Sequence, residues 1–432
     1  MKTRNINVST VDCFFIMLNF AASRGNILPY WVFNISNSIW TTGIILLIDI
    51  LYIVFRLRLS FAGMRVNHIT PIYIALILLA YNTLNVFLHN GNYVPVFEYF
   101  LLVFLFSIIL GSVCKSLSKN PLPLKSKIYI LSKGYIWVSL LSITGAFLSF
   151  FLLVLGFKSY EAIEADFLSS NIENGAWYYR SFLSVNSAES ILRVPFFQDF
   201  GILCGLFHEP HVFAYNAFPC IFLLYGFTNR NHHLMKGLLI TTGVLVILFS
   251  GSTTNILALA GTLLILFLIK VRSNFFEVII SVVLVLLLVI YYIGRDGTLY
   301  EFVLGRLAAD NYSQQFSVSL LEFAFTPKTV FGSDFMATDF VSGSTSQDVG
   351  FIPFFLNISF LVFYLKNTIL LLKKGDQLSL FVSLASIYFI LHSLKVGMTM
   401  YIQTPYVFLV FLQSFILCNY GRIKTTKSSL PN

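Results

Sequence analysis

Apolar runs of about 17 to 24 residues recur from one end of the chain to the other, separated by short polar or charged stretches. About 20 apolar residues cross a hydrocarbon core of about 30 Å as helix, whereas a membrane β-strand needs only about 9 to 11. The pattern therefore predicts an all-α integral membrane protein, a polytopic bundle of about 12 transmembrane helices rather than a barrel. The expected spans are roughly 9–22, 36–55, 69–88, 94–114, 134–156, 210–227, 234–250, 252–269, 275–293, 349–372, 377–394 and 398–419. The first follows Met1-Lys2-Thr3-Arg4 without a convincing small-residue cleavage site, so a retained helix is expected over a signal peptide. Residues 234–269 are divided in two because Phe249-Ser-Gly-Ser-Thr-Thr-Asn255 is a polar, turn-rich interruption.

Composition agrees with this pattern. Hydrophobic residues make up 57% of the 432 and charged residues 11%, a balance that the surface of a soluble domain of this length would not tolerate. The basic residues fix an orientation. With the N-terminus inside, 20 of the 28 fall on cytoplasmic loops or helix ends. The other eight, Arg24, Lys158, Arg180, Arg193, Arg295, Arg306, Lys328 and Lys395, fall outside. That split follows the positive-inside rule and makes both termini cytoplasmic. The net charge of +9 then reflects topogenic lysine and arginine and attraction to anionic headgroups, and no nucleic-acid partner is expected. The five cysteines, Cys13, Cys114, Cys204, Cys220 and Cys418, have no paired spacing that suggests a disulfide framework or a metal site.

Acidic residues gather elsewhere. Fourteen of the 19 lie in two outer segments, about 157–209 and 294–348, the only long stretches outside the spans. Loops of that length are usually functional or disordered, and these are rich in aromatics such as Trp177, Tyr178, Tyr179, Phe196, Phe197, Tyr300 and Phe316. Folded loops on the membrane face are expected, carrying the active site of a single transmembrane domain 1–432. Within the spans the carboxylates are Asp12, Asp49, Glu98 and Glu277. Asp49 alone sits well inside a span, and the other three are expected near span ends, where they reach water.

An outer site has no nucleotide available, so its substrate must carry its own activation, and a polyprenyl-pyrophosphate sugar does. Arginine suits a pyrophosphate leaving group because its planar fork binds phosphate bidentately and keeps its charge. Arg193 and Arg306 are the first candidates, with Arg295 behind them; an arginine snorkelling at the interface is the competing role for each. Glu209 and Asp348, each at the outer start of a span, could take the acceptor proton, and each also fits N-terminal capping, before Pro210 and before Val349-Gly350. His208 and His211 could orient substrate or relay protons. Gly201-Ile-Leu-Cys-Gly205 reads as a small-xxx-small helix-packing motif.

In order, the chain places Arg193, then Gly205-Leu-Phe-His-Glu209-Pro210 opening a span. A second outer segment follows with Gly305-Arg306, Val330-Phe331-Gly332 and Ser346-Gln-Asp348-Val-Gly350-Phe351. This order resembles that of a Wzy-type O-antigen polymerase, over about 190–360. The resemblance implies a glycosyltransferase at the outer face of the bacterial cytoplasmic membrane. Such an enzyme transfers a growing glycan from undecaprenyl pyrophosphate to a new lipid-linked repeat unit and releases the lipid pyrophosphate. It also implies a flippase and a chain-length regulator as partners, and no metal or organic cofactor. On this resemblance Arg193 and Arg306 hold pyrophosphate, Glu209 lines the same pocket and Asp348 sits at the acceptor. The related O-antigen ligases share the frame but usually carry a histidine where this chain has Asp348. Ser250-Gly-Ser-Thr-Thr254 departs from the pattern in lacking an arginine after the serines. A ligase and a lipid-oligosaccharide transporter are the alternatives, the latter resting on Asp49.

Overall fold

The computed structural model describes residues 10–21, 38–57, 66–88, 93, 96–157, 160–163, 176–181, 184–187, 202–207, 210–229, 231–250, 253–270, 351–396 and 404–427. Eleven α-helices account for most of them: α1 (Thr10–Ala21), α2 (Ser38–Tyr52), α3 (Val66–Leu88), α4 (Leu102–Lys119), α5 (Leu124–Val154), α6 (Pro210–Phe227), α7 (His233–Ser250), α8 (Thr253–Lys270), α9 (Phe351–Leu372), α10 (Gln377–Val396) and α11 (Thr404–Lys427). Two short π-helical segments, Ile53–Leu57 and Val96–Leu101, extend α2 and lead into α4. Helices thus occupy eleven of the twelve expected stretches, and the twelfth, 275–293, lies outside the described residues, as does the second outer segment 294–348. Among the described residues three helical segments, Ile69–Leu88, Leu102–Lys119 and Leu124–Val154, are long and apolar enough to cross a membrane.

Local sequence explains several boundaries. The polar run after Phe249 breaks one apolar stretch into α7 and α8, which stop and start at Ser250 and Thr253. Between α9 and α10, Gly375 takes φ +74°, a left-handed conformation that relieves the chain after Lys373-Lys374. Asp376 then caps α10 by accepting from the Ser379 amide at 3.0 Å. Helix α5 begins ten residues earlier than the span expected at 134, directly after Pro123, whose fixed φ suits a helix start.

The segment expected at about 157–209 holds four short strands within an otherwise helical fold. Strands β1 (Tyr160–Ile163), β2 (Ala176–Ser181), β3 (Ser184–Ser187) and β4 (Ile202–Gly205) pair antiparallel in the order β1-β2-β3-β4. The last strand packs against α5, α6 and α7, so this meander is anchored in the bundle rather than laid over it. Its residues Leu203, Cys204, Leu206 and Phe207 are all buried.

That placement corrects the reading of Gly201-Ile-Leu-Cys-Gly205 as a helix-packing motif. Ile202–Gly205 is a strand, and Gly205 is required for a different reason. Its φ is +60°, and a Cβ there would lie 2.5 Å from Ser142 Oγ and 2.7 Å from the Phe213 ring. Beyond it the Leu206 amide donates to Ser142 Oγ at 3.1 Å, and the Phe207 amide donates to the Cys204 carbonyl at 3.0 Å. The chain reverses tightly against α5 and is delivered to the start of α6.

Inside the bundle, side-chain polar groups bond between helices or back onto their own turn. Gln413 on α11 donates from Nε2 to Thr368 Oγ1 on α9 at 2.9 Å and to Ser386 Oγ on α10 at 2.7 Å. Such bonds fix helix register where apolar packing alone is permissive. Asp12 was expected to reach water near a span end, but it is only 1% exposed. Helix α2 covers it, the Tyr52 hydroxyl donates to its Oδ1 at 2.5 Å, and Phe15 stacks on the Tyr52 ring at 3.9 Å. The side chain of Glu98, and all of Glu277, lie outside the described residues.

Replacing Gly205 by alanine should combine a left-handed backbone penalty with overpacking and destabilise the protein by about 2–4 kcal/mol. Gly237→Ala, on α7 with nothing within 4 Å of its new Cβ, should be neutral or stabilising. Thermal unfolding of both variants in detergent checks the contrast.

Candidate functional site

At one end of the bundle the start of α6, the start of α8 and the last turns of α10 meet, beside the β-meander. This juxtaposition follows from the antiparallel succession of helices. An element beginning at this end and one finishing at it must alternate along the chain, so Pro210, Thr253 and Val396 are brought to the same side.

His211 occupies the second position of α6 and is half-buried. Its imidazole faces that of His392 on α10, with ring centroids 6.1 Å apart and planes 27° from parallel. His392 is 4% exposed and lies behind His211, between Tyr215 at 5.2 Å and Tyr388 at 6.2 Å. Both tyrosines are spaced so that helix geometry puts them beside the histidine of their own helix: His211 and Tyr215 are four residues apart on α6, as are Tyr388 and His392 on α10. The Tyr388 hydroxyl donates to Asn255 Oδ1 at 2.6 Å, tying α10 to the first turn of α8. The aromatic contacts continue through Phe389, 5.4 Å from Tyr215, to Tyr406 and Tyr364. A rim imidazole backed by a buried one, with tyrosines on both sides, can orient a polar ligand and pass or accept a proton.

Of the residues singled out from sequence, the structure places His211 in this cluster. Arg193, His208, Glu209, Arg295, Arg306 and Asp348 lie outside the described residues. In sequence, His208-Glu209 immediately precedes Pro210, the first residue of α6. Among the described residues no three of His, Cys, Asp and Glu converge as metal ligands, and none of the five cysteines forms a disulfide.

His392, Tyr215, Tyr388 and Asn255 were missed by sequence reasoning. Each is a single polar or amphipathic residue in an otherwise apolar helix, and alone each looks like core. The available signal was the pair of matching four-residue His/Tyr spacings, read together with a topology that puts Lys395 and its helix end on the same side as His211.

Compared with protein-family models, with curated proteins and with solved structures, the chain matches none of them.

Tyr388→Phe would leave the buried Asn255 carbonyl without its donor. It should lower stability by about 1–3 kcal/mol, read by chemical denaturation of the purified protein, and Phe222→Leu on the neighbouring face of α6 should leave the Asn255 site intact.

Proposed function

We propose that this protein is a polytopic membrane glycosyltransferase of the O-antigen polymerase type, with both termini on the cytoplasmic side and its site at the outer face. In this reading it joins undecaprenyl-pyrophosphate-linked repeat units into surface polysaccharide. The observation that carries it is the His211–His392 pair, 6.1 Å apart at the end of α6 that His208-Glu209-Pro210 opens and against which the β-meander packs. Support also comes from the basic residues, which leave this end comparatively free of topogenic charge, and from the acidic and aromatic outer segments.

Each group then has a task. Arg193 and Arg306, with Arg295 as the next candidate, neutralise the pyrophosphate as it leaves, because a cation placed in advance stabilises charge that develops only as the glycosidic bond breaks. The opening turn of α6 adds N–H groups that lack acceptors within the helix and the positive end of its dipole, both favourable to phosphate oxygens. Asp348 receives the acceptor hydroxyl proton, and Glu209 lines the pocket. His211 hydrogen-bonds the substrate at the rim, and His392 holds its ring from behind. The acceptor oxygen forms its bond to the anomeric carbon as the bond to the lipid pyrophosphate breaks, and the proton passes to the carboxylate. The lipid-linked oligosaccharide reaches the site from the bilayer, and a flippase and a chain-length regulator are the fitting partners.

A second reading, transport of lipid-linked oligosaccharide, is favoured by the buried carboxylate of Asp49. The two separate cleanly in a deletion strain. Loss of a polymerase leaves single repeat units on the final acceptor, whereas loss of a transporter leaves lipid-linked units at the inner face. A ligase defect instead leaves polymer on the carrier lipid.

Arg193→Ala should abolish long chains in a complemented deletion strain while the protein still inserts. Unchanged ladders on a polysaccharide gel would remove Arg193 from the mechanism. His392→Ala should shorten or abolish the ladder, and His392→Gln, which keeps a hydrogen-bonding side chain, should retain more of it.

A further inference from the structure

Away from the His/Tyr cluster, α1 and α2 meet along a polar seam. One rung is the bond from Tyr52 to Asp12. The other joins Asn19 and Asp49, both 0% exposed. Asn19 Nδ2 donates to Asp49 Oδ1 at 3.0 Å and to the Phe15 carbonyl one turn back at 3.0 Å, so both amide hydrogens are used and the orientation of the amide is determined. Two oxygens remain without a hydrogen-bond partner among the described residues, Asp49 Oδ2 and Asn19 Oδ1. Both are acceptors, and they belong to the two side chains that the Nδ2–Oδ1 bond already joins. A proton on the carboxyl would turn Asp49 from a pure acceptor into a donor from which the Asn19 oxygen can accept.

Among the described residues no cation pairs with Asp49; its partner is a neutral amide. Ionisable groups on the elements packed against it are Asp12 and Cys13 on α1, Tyr52 on its own helix, and Cys114, Lys115 and Lys119 on α4. Arg56, Glu98 and Tyr99 stand on the π-helical segments, with side chains outside the described set. Asp12 is occupied by Tyr52 and adds a like charge rather than an opposite one. A bare carboxylate in such a place is strongly disfavoured unless it is paired or neutralised.

We propose that Asp49 is a proton-binding site within the helical bundle. With α1 and α2 packed together, its Oδ2 carries a proton and donates it to Asn19 Oδ1. The proton exchanges with water only as the seam opens, so no other reactant is required. Release leaves a buried charge whose Oδ2 has no donor among the described residues and drives the helices apart. The seam also bears on the rest of the bundle, because Phe20, next to Asn19, packs 4.8 Å from Tyr135, whose hydroxyl donates to the Asn216 carbonyl on α6. The inference stands on the α1–α2 geometry alone and holds whether the protein polymerises or transports.

Infrared spectroscopy of the full chain in lipid nanodiscs tests it directly. At neutral pH the wild type should show the C=O stretch of a protonated carboxylic acid, which Asp49→Asn removes and Asp12→Asn does not. Asp49→Asn, a neutral isostere, should insert and melt like the wild type. Asn19→Val should shift the frequency of the band, since the acid loses its acceptor. An Asp49→Asn spectrum that keeps the band overturns the proposal. So does an Asp49→Asn protein that fails to insert, because the fold would then need the charged form. A wild-type band governed by sodium concentration at fixed pH would assign the site to a metal cation instead and equally defeat it.

Discussion

Removing polar groups from water in so apolar a chain is the constraint on which the rest of this structure depends. The helical backbone satisfies itself turn by turn, and the remaining donors and acceptors must find partners across helix interfaces. Where they do, they fix register: Gln413 binds α9 to α10 and α11, Tyr388 binds α10 to α8, and Tyr135 binds α5 to α6. Apolar packing alone, supplied by a sequence that is 57% hydrophobic, would hold helices together without choosing one arrangement.

The candidate site is one product of that constraint. Gly205 lets a buried strand turn against Ser142 and Phe213, and the turn places the opening of α6 beside the ends of α7 and α10. His211 is therefore presented on a supported helix terminus, with His392 held behind it by two tyrosines. A site built from helix ends rather than free loops keeps its side chains oriented before any ligand arrives. The Asp49–Asn19 seam shows the converse, since two buried oxygens lack hydrogen-bond partners among the described residues.

Much of the helical frame could be read directly. Long apolar runs can only be helices of about the observed length, and the break at Ser250 was announced by five small or hydroxyl-bearing residues in succession. The first outer segment was harder. Its aromatics indicated folding, yet strands of only four to six residues give no clear alternation of apolar and polar positions, and Gly205 looked like one half of a helix-packing pair. Asp12 was misjudged for a related reason: its distance from the start of α1 suggested water, but burial depends on Tyr52, forty residues away.

The sequence by itself determined the hydrophobic helices and their breaks, because both follow from periodicity and from residues whose backbone preferences act locally. It also supplied His211 and the polar opening of α6. The tertiary structure alone decided that His211 meets His392, that Tyr388 reaches Asn255, and that Asn19 pairs with Asp49. Those pairings depend on crossing positions of helices up to about 180 residues apart in the chain, which are set by side-chain packing and interhelical hydrogen bonds and leave no periodic mark in either partner alone.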